Sequence, residues 1–209
     1  MTTIYLLRHG EIPASSPRRF LGRTDLPLTE RGRAQIKELA RFLQSRAIGA
    51  IFSSPLRRCR ESAEILAATF GCAAEVVSEL AELDLGEWEG LTVEEVRERF
   101  PGGYEARGLD IVNYRPPGGE SFADLSCRVW PAFAAIADSG GSETRPVAVV
   151  AHAGVNRVLL CRLLGMPLSN LFRLEQGCGC CNVVHALKDG YRVESINIRP
   201  ELYDISMGK

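Results

Sequence analysis

Two of the three histidines in this chain close apolar runs, and that placement is where chemistry is first suggested. Thr3-Ile4-Tyr5-Leu6-Leu7 runs into Arg8-His9-Gly10-Glu11, and Val147-Ala148-Val149-Val150-Ala151 runs into His152-Ala153-Gly154. Short β-prone runs bounded by glycine read as buried strands. In an open α/β sheet, ligands gather just beyond the carboxyl ends of the strands. One histidine in such a place fits a hydrogen-bonded structural residue as well as a catalyst. Two of them, on strands that run parallel in one sheet, would bring two imidazoles to the same edge. Gly10 would let the backbone turn sharply or approach a ligand closely.

Positive charge clusters in the segments expected at that edge. The loop Ile12–Leu28 holds Arg18, Arg19 and Arg23 around Gly22, and is longer than a simple connection requires. Ala50–Ser53 reads as another strand. After it, Ser54 suits a helix N-cap and Pro55 the first helical position, which would turn a positive helix end toward the cleft. Arg57, Arg58 and Arg60 follow; at about 100° per residue, at most one or two of them can face inward. Residues 79–90 alternate acidic and apolar side chains with two glycines and a tryptophan, the mark of a shaped loop. Several of its carboxylates read as solvated charge, but one near an imidazole would be useful.

These pieces suit a compact anion such as a phosphoryl group, which arginine grips through its planar fork. A neutral imidazole can attack phosphorus and split one hard displacement into two. A carboxyl group can then protonate the departing alkoxide. No Asp/His cluster has metal-ligand spacing, and no glycine-rich nucleotide loop is present. Metal-independent phosphoryl chemistry is one reading of these residues; ordinary surface charge is the other.

The scaffold expected around them is alternating. Thr29 should cap a helix reaching about Arg46, and 73–78 should be a third strand. Thr92 and Glu95 form a capping box for a helix ending before Pro101. The Gly- and Pro-rich 101–119 stretch should cover part of the cleft. Ser121 should cap a further helix that Pro131 kinks or breaks. Val155–Leu164 is expected as a helix, 181–187 and 191–198 as a hairpin around Lys188-Asp189-Gly190, and the last ten residues as a frayed tail. At 209 residues with net charge −1 and 45% hydrophobic content, the composition fits one α/β domain and speaks against nucleic-acid or membrane binding. The seven cysteines are irregularly spaced and no leader or long apolar run is seen, so reduced thiols and a cytoplasmic location are expected.

Leu7-Arg8-His9-Gly10-Glu11 resembles the hallmark of the histidine phosphatase superfamily, the phosphoglycerate mutase-like fold. The resemblance continues through Arg19–Gly22, Asp25–Gly32, Ser53–Arg58, Glu82–Gly90 and Ala151–Val155, in the family's order. It implies a three-layer αβα sandwich on a mostly parallel sheet, in a single domain spanning 1–209, with about 80–140 as an inserted cap-like segment. It also implies roles. His9 would become phosphohistidine, and Arg8, Arg58 and His152 would hold the phosphoryl oxygens. Glu82 would be the proton donor and later the base. Arg19 and Gly22 would contact phosphate or substrate, whereas Arg57 and Arg60 match no motif position. The implied partners are a small phosphorylated metabolite and inorganic phosphate, with no metal or cofactor, and with either a monomer or a homodimer.

Within the superfamily, Pro116–Ser121 and Leu174–Cys178 are similar to α-ribazole phosphatases. A cofactor-dependent phosphoglycerate mutase is the alternative. It is disfavoured by Ile12–Ser16 after the first motif and by Tyr114-Arg115-Pro116-Pro117 where mutases carry paired arginines. Two other classes remain as rivals: a non-catalytic binding module on this fold, and a thiol or metal sensor built on Cys178-Gly179-Cys180-Cys181.

Overall fold

Six strands form one sheet, in the order β3-β2-β4-β1-β5-β6. They are β1 (Thr2–Arg8), β2 (Ala50–Ser53), β3 (Ala74–Val76), β4 (Val147–Ala151), β5 (Cys181–Leu187) and β6 (Gly190–Ile198). The first four in spatial order are parallel, and the hairpin β5–β6 adds an antiparallel edge. The structure, a computed structural model, describes residues 1–138 and 145–200.

Alternation along the central strands divides the core in two, as the pleat demands. Ile4 and Leu6 of β1, with Val147, Val149 and Ala151 of β4, face one layer. There they meet Leu125, Val129 and Phe133 of α5 (Phe122–Asp138) and Val155, Val158 and Leu159 of α6 (Ala153–Leu163). Tyr5, Leu7, Ala148 and Val150 face the other. They pack on Ile36, Leu39 and Leu43 of α1 (Glu30–Leu43) and on Cys59, Ala63 and Leu66 of α2 (Arg57–Phe70). Burial on both faces is why these strands read as nearly unbroken apolar runs. The α/β architecture is therefore three-layered and phosphoglycerate mutase-like, as expected.

Several local expectations hold. The Thr29 hydroxyl accepts the Gly32 N–H and starts α1, which ends in a tighter turn through Arg46. Thr92 and Glu95 close a reciprocal capping box on α3 (Val93–Arg99). The Ser121 hydroxyl accepts the Asp124 N–H at the start of α5.

Within the 101–119 stretch, Gly103–Leu109 forms a helix, α4, entered through Gly102 at a positive φ. Three expectations need correction. The helix after β2 begins at Arg57 rather than at Pro55, with Leu56 in the capping position and no side-chain cap. Ser54 is occupied elsewhere, as described below. The third strand is only three residues long. Helix α5 is not broken at Pro131. Proline removes one N–H and so releases the carbonyl four residues earlier, that of Cys127; this residue is exposed and water can satisfy the loss. The expected frayed tail lies, apart from Pro200, outside the described residues. Among the described residues no helix is long and apolar enough to cross a membrane.

Candidate active site

Sheet register alone sets the two imidazoles side by side. Strands β1 and β4 pair with Arg8 opposite Ala151, so His9 and His152 are the next residues out on each strand. Their ring centres are 5.3 Å apart, edge to face. The sharp exit from β1 depends on glycine: a Cβ on Gly10 would come within 2.3 Å of the Gly32 carbonyl oxygen. On the far side of that contact, the Glu11 carbonyl accepts the Thr29 N–H and the Glu11 N–H donates to Gln35, tying the loop to α1.

The His9 ring is 4% exposed and forms part of the floor of a cavity of about 700 Å³. Its Nδ1–H donates to the Gly10 carbonyl at 2.7 Å. A carbonyl can only accept, so this bond leaves Nε2 as the nitrogen with the free lone pair. Burial, and then the charges of Arg8 and Arg58, hold the pKa of His9 well below the usual imidazole value. A neutral, oriented imidazole beside two cations is a nucleophile prepared for an anionic electrophile.

Arg58 is the one arginine of its cluster that turns inward, at 3% exposure. Its fork is held on three sides. Nη1 donates to the Thr24 carbonyl and Nη2 to the Gly22 carbonyl, each at 2.7 Å, and Nε donates to His152 Nδ1 at 3.3 Å. Guanidinium carries five N–H donors, so two remain for a ligand. Arg57 and Arg60 stay at the surface, Arg57 paired with Glu61. Arg8 donates through Nη1 to the Gln176 carbonyl at 2.6 Å, and its buried Nε–H has no partner. That donor is left open at the sheet edge.

His152 is placed differently from His9. It is fully buried and is not among the residues lining the cavity. Because Nδ1 accepts from Arg58, Nε2 carries the proton and donates to the Ser54 hydroxyl at 2.6 Å. Burial comes first, then Arg58, in keeping its pKa well below the ordinary value. Ser54 therefore serves the imidazole rather than capping a helix. The Cys59 thiol packs beside the same ring, 3.4 Å from Nε2, and burial keeps it protonated.

Glu82 lines the cavity opposite these groups. Its carboxylate accepts the Leu83 N–H at 2.9 Å and the Gly154 N–H at 3.0 Å, at the start of α6. A Cβ on Gly154 would lie 2.4 Å from Glu82 Oε1, so this approach needs glycine there. The Glu82 carbonyl is pinned from outside by Arg23 Nε at 3.1 Å.

Arg19 lines the cavity, yet its Nη1 is spent on the Gly90 carbonyl and on Glu95. Gly22 also lines it, with its carbonyl turned to Arg58. The sequence reading missed what holds this loop. Glu89 accepts the N–H groups of Arg23 and Thr24 and the Thr24 hydroxyl, at 2.6, 3.1 and 2.6 Å. Glu89 thereby aims the two carbonyls that grip Arg58. It stood out in the sequence only as one of several carboxylates in an acidic stretch. Behind Arg8, the buried amides Gln176, Asn182 and Asn156 form a second network missed in the same way. Cys180 and Cys181 are fully buried, and among the described residues no group of three or more His, Cys, Asp or Glu is placed to hold a metal.

Comparison with known proteins agrees with this geometry. The family model of the histidine phosphatase superfamily (branch 1) matches residues 4–199. A bifunctional protein of Mycobacterium tuberculosis is 36% identical over 190 residues, 90% of this chain and 51% of that protein; the chain thus spans about half the length of such relatives. The "Probable phosphoglycerate mutase GpmB" of Salmonella choleraesuis is 35% identical over 167 residues, 80% of this chain and 77% of its own. Among solved structures, mycobacterial glucosyl-3-phosphoglycerate phosphatase with inorganic phosphate superposes with TM-score 0.83 at 31% identity, covering 96% of this chain and 99% of that one. The α-ribazole phosphatase of Shigella flexneri superposes with TM-score 0.86 at 25% identity, covering 95% and 97%. The sheet-edge histidines, the inward arginines and the family match lead to one conclusion: the chain belongs to the histidine phosphatase superfamily.

Proposed function

We propose that this protein is a metal-independent phosphomonoesterase that works through a phosphohistidine on His9. One observation carries the reading. His9 is neutral, its Nδ1–H is held by Gly10, and its Nε2 is left free beside Arg8 and Arg58. In the first half-reaction Nε2 bonds to phosphorus as the ester P–O bond breaks, and Glu82 gives its proton to the departing oxygen. In the second, Glu82 takes a proton from water, the water oxygen attacks phosphorus, and the N–P bond breaks to release phosphate. The remaining donors of Arg8 and Arg58 neutralise charge on the equatorial oxygens, the task that dominates phosphoryl transfer. His152 joins them when the incoming anion draws Arg58 off its Nδ1 and a solvent proton takes that place, so that Nδ1–H donates to a phosphoryl oxygen.

The substrate in this reading is a small phosphorylated metabolite, and the segment 80–140, with α4 and the start of α5, serves as a cap over it. α-Ribazole 5′-phosphate and glucosyl-3-phosphoglycerate are the first two to try, given the structural relatives. The test is incubation with a 32P-labelled phosphomonoester in EDTA. Acid-labile label on His9 and undiminished turnover are expected; loss of activity on chelation would overturn the mechanism. The GpmB relative favours a mutase as the second reading. Isomerisation of 3-phosphoglycerate that depends on a bisphosphoglycerate primer would select it.

A further inference from the structure

The cavity above His9 holds more positive charge than one phosphoryl group uses. Arg107 of α4 and Arg157 of α6 both line it, as do Phe122 and Phe172. These four side chains form a continuous arc. The Arg107 guanidinium carbon lies 5.9 Å from the centre of the Phe122 ring, Phe122 and Phe172 meet edge to face at 5.7 Å, and the Arg157 guanidinium carbon lies 5.3 Å from Phe172.

Neither arginine has a carboxylate in ion-pair contact among the described residues, whereas Arg23, Arg33, Arg115 and Arg128 each have one. Both are half-buried, and burial is the main reason their pKa values fall below the usual guanidinium value. Arg157 is also oriented, because its Nε–H donates to the Leu174 carbonyl at 2.9 Å and leaves the terminal fork uncommitted. A partly desolvated cation without a counter-ion is unfavourable. Stacking on an aromatic ring returns only part of that cost at partly exposed sites. An anion supplied by the ligand would complete the balance. The cavity, at about 700 Å³, also falls within the range of drug-sized ligand sites, far beyond a phosphate ion.

We infer that the Arg107–Phe122–Phe172–Arg157 arc is a second anion subsite. The alcohol portion of the substrate has an apolar or ring-shaped middle that lies on the two phenylalanines. At its far end it carries a carboxylate or a second phosphate, which Arg107 grips at the end of the arc beyond Phe122, with Arg157 at the opposite end. This substrate class rests on the phosphomonoesterase reading above.

The test is calorimetric titration of the full chain with alkyl phosphonates, which bind like phosphates and are not hydrolysed. Each is compared with the same chain ending in a carboxylate or in a second phosphonate, across graded lengths. At some length the terminal anion should tighten Kd at least ~10-fold, as a charge-assisted fork pair allows. Which terminal group gains more separates carboxylate from phosphate. Within Arg107→Gln that gain should shrink to under ~3-fold, while Arg107→Lys, a point charge without the fork, keeps only part of it and Arg157→Gln leaves it in place. Each variant is its own reference, so a general loss of binding does not imitate the effect. No gain at any length, or a gain surviving Arg107→Gln, overturns the subsite. Failure to hydrolyse p-nitrophenyl phosphate is a separate result: it would remove the phosphatase reading and leave the binding comparison standing.

Discussion

His9 and Arg107 look into the same cavity but are held in different ways. The floor, made of Arg8, His9, Arg58 and Glu82 with His152 behind, projects from strand ends, from the start of α2 and, for Glu82, from a loop tied to the start of α6. Its parts are fixed by backbone carbonyls and N–H groups: Gly10 on His9, Gly22 and Thr24 on Arg58, Leu83 and Gly154 on Glu82. The wall, made of Arg19, Tyr104, Arg107, Phe122 and Phe172, comes from loops, a two-turn helix and helix ends, and its contacts are largely ring stacking and exposed ion pairs. Chemistry needs groups placed to within a fraction of an ångström, and only the sheet edge provides that rigidity. Choice of substrate tolerates side chains that adjust. The same division explains why the floor residues sit in compact sequence motifs while the wall residues are scattered.

Substitutions in the two regions should differ accordingly. His9→Ala should lower kcat more than ~10⁴-fold and abolish acid-labile 32P trapping, since no other nitrogen has a free lone pair in that place. Residual labelling elsewhere would break the assignment. Glu82→Gln should cost ~10²–10³-fold on alkyl phosphates but under ~10-fold on p-nitrophenyl phosphate, whose leaving group needs no proton. Equal losses on both would take Glu82 out of the acid role.

Glu89→Gln tests whether the floor depends on groups outside the cavity. Its carboxylate accepts three hydrogen bonds from Arg23 and Thr24, and an amide nitrogen there can accept none. We expect kcat/KM down ~10-fold through a misaimed Arg58, with ~1–3 kcal/mol lost in stability by denaturant titration. Full activity would show that the Gly22 and Thr24 carbonyls are held without it.

The two floor histidines also set a pH signature. Both have native pKa values depressed by burial. Below about pH 6.5 the unfolded chain takes up protons that the folded chain does not, so stability is complete above that pH and declines as pH falls. Between pH 7.5 and 5.5 the two together should cost ~2–3 kcal/mol, or roughly 5–10 °C in Tm. His9→Gln should remove about half of this dependence. At the small end, Arg19→Gln breaks an ion pair whose partners are both more than one-third exposed, and should change KM less than ~3-fold. A much larger change would move Arg19 from the wall to the floor.

Much of the floor could be read from the chain because its signals are local. A strand must be apolar to be buried, and the residues that end it stand at the sheet edge; Arg8, His9 and His152 follow from that rule, although His152 is buried behind the cavity rather than facing it. Thr29, Thr92 and Ser121 mark helix starts through bonds to neighbours three residues on. The misreadings have the same explanation in reverse. Ser54 carries every mark of a cap, but the approach of β4 places His152 Nε2 within 2.6 Å of it. Pro55 suits a first helical position, yet α2 starts only at Arg57.

The sequence by itself determined the sheet, the two histidines at its edge and the arginine-rich elements beside them, because periodicity and strand-end placement depend on nearest neighbours. Only the tertiary structure decided which of three clustered arginines turns inward, that Glu89 governs Arg58 from a distant loop, and that Arg107 and Arg157 share one cavity. Each of those depends on a bond or contact between segments far apart in the chain, and no local pattern records where such segments meet.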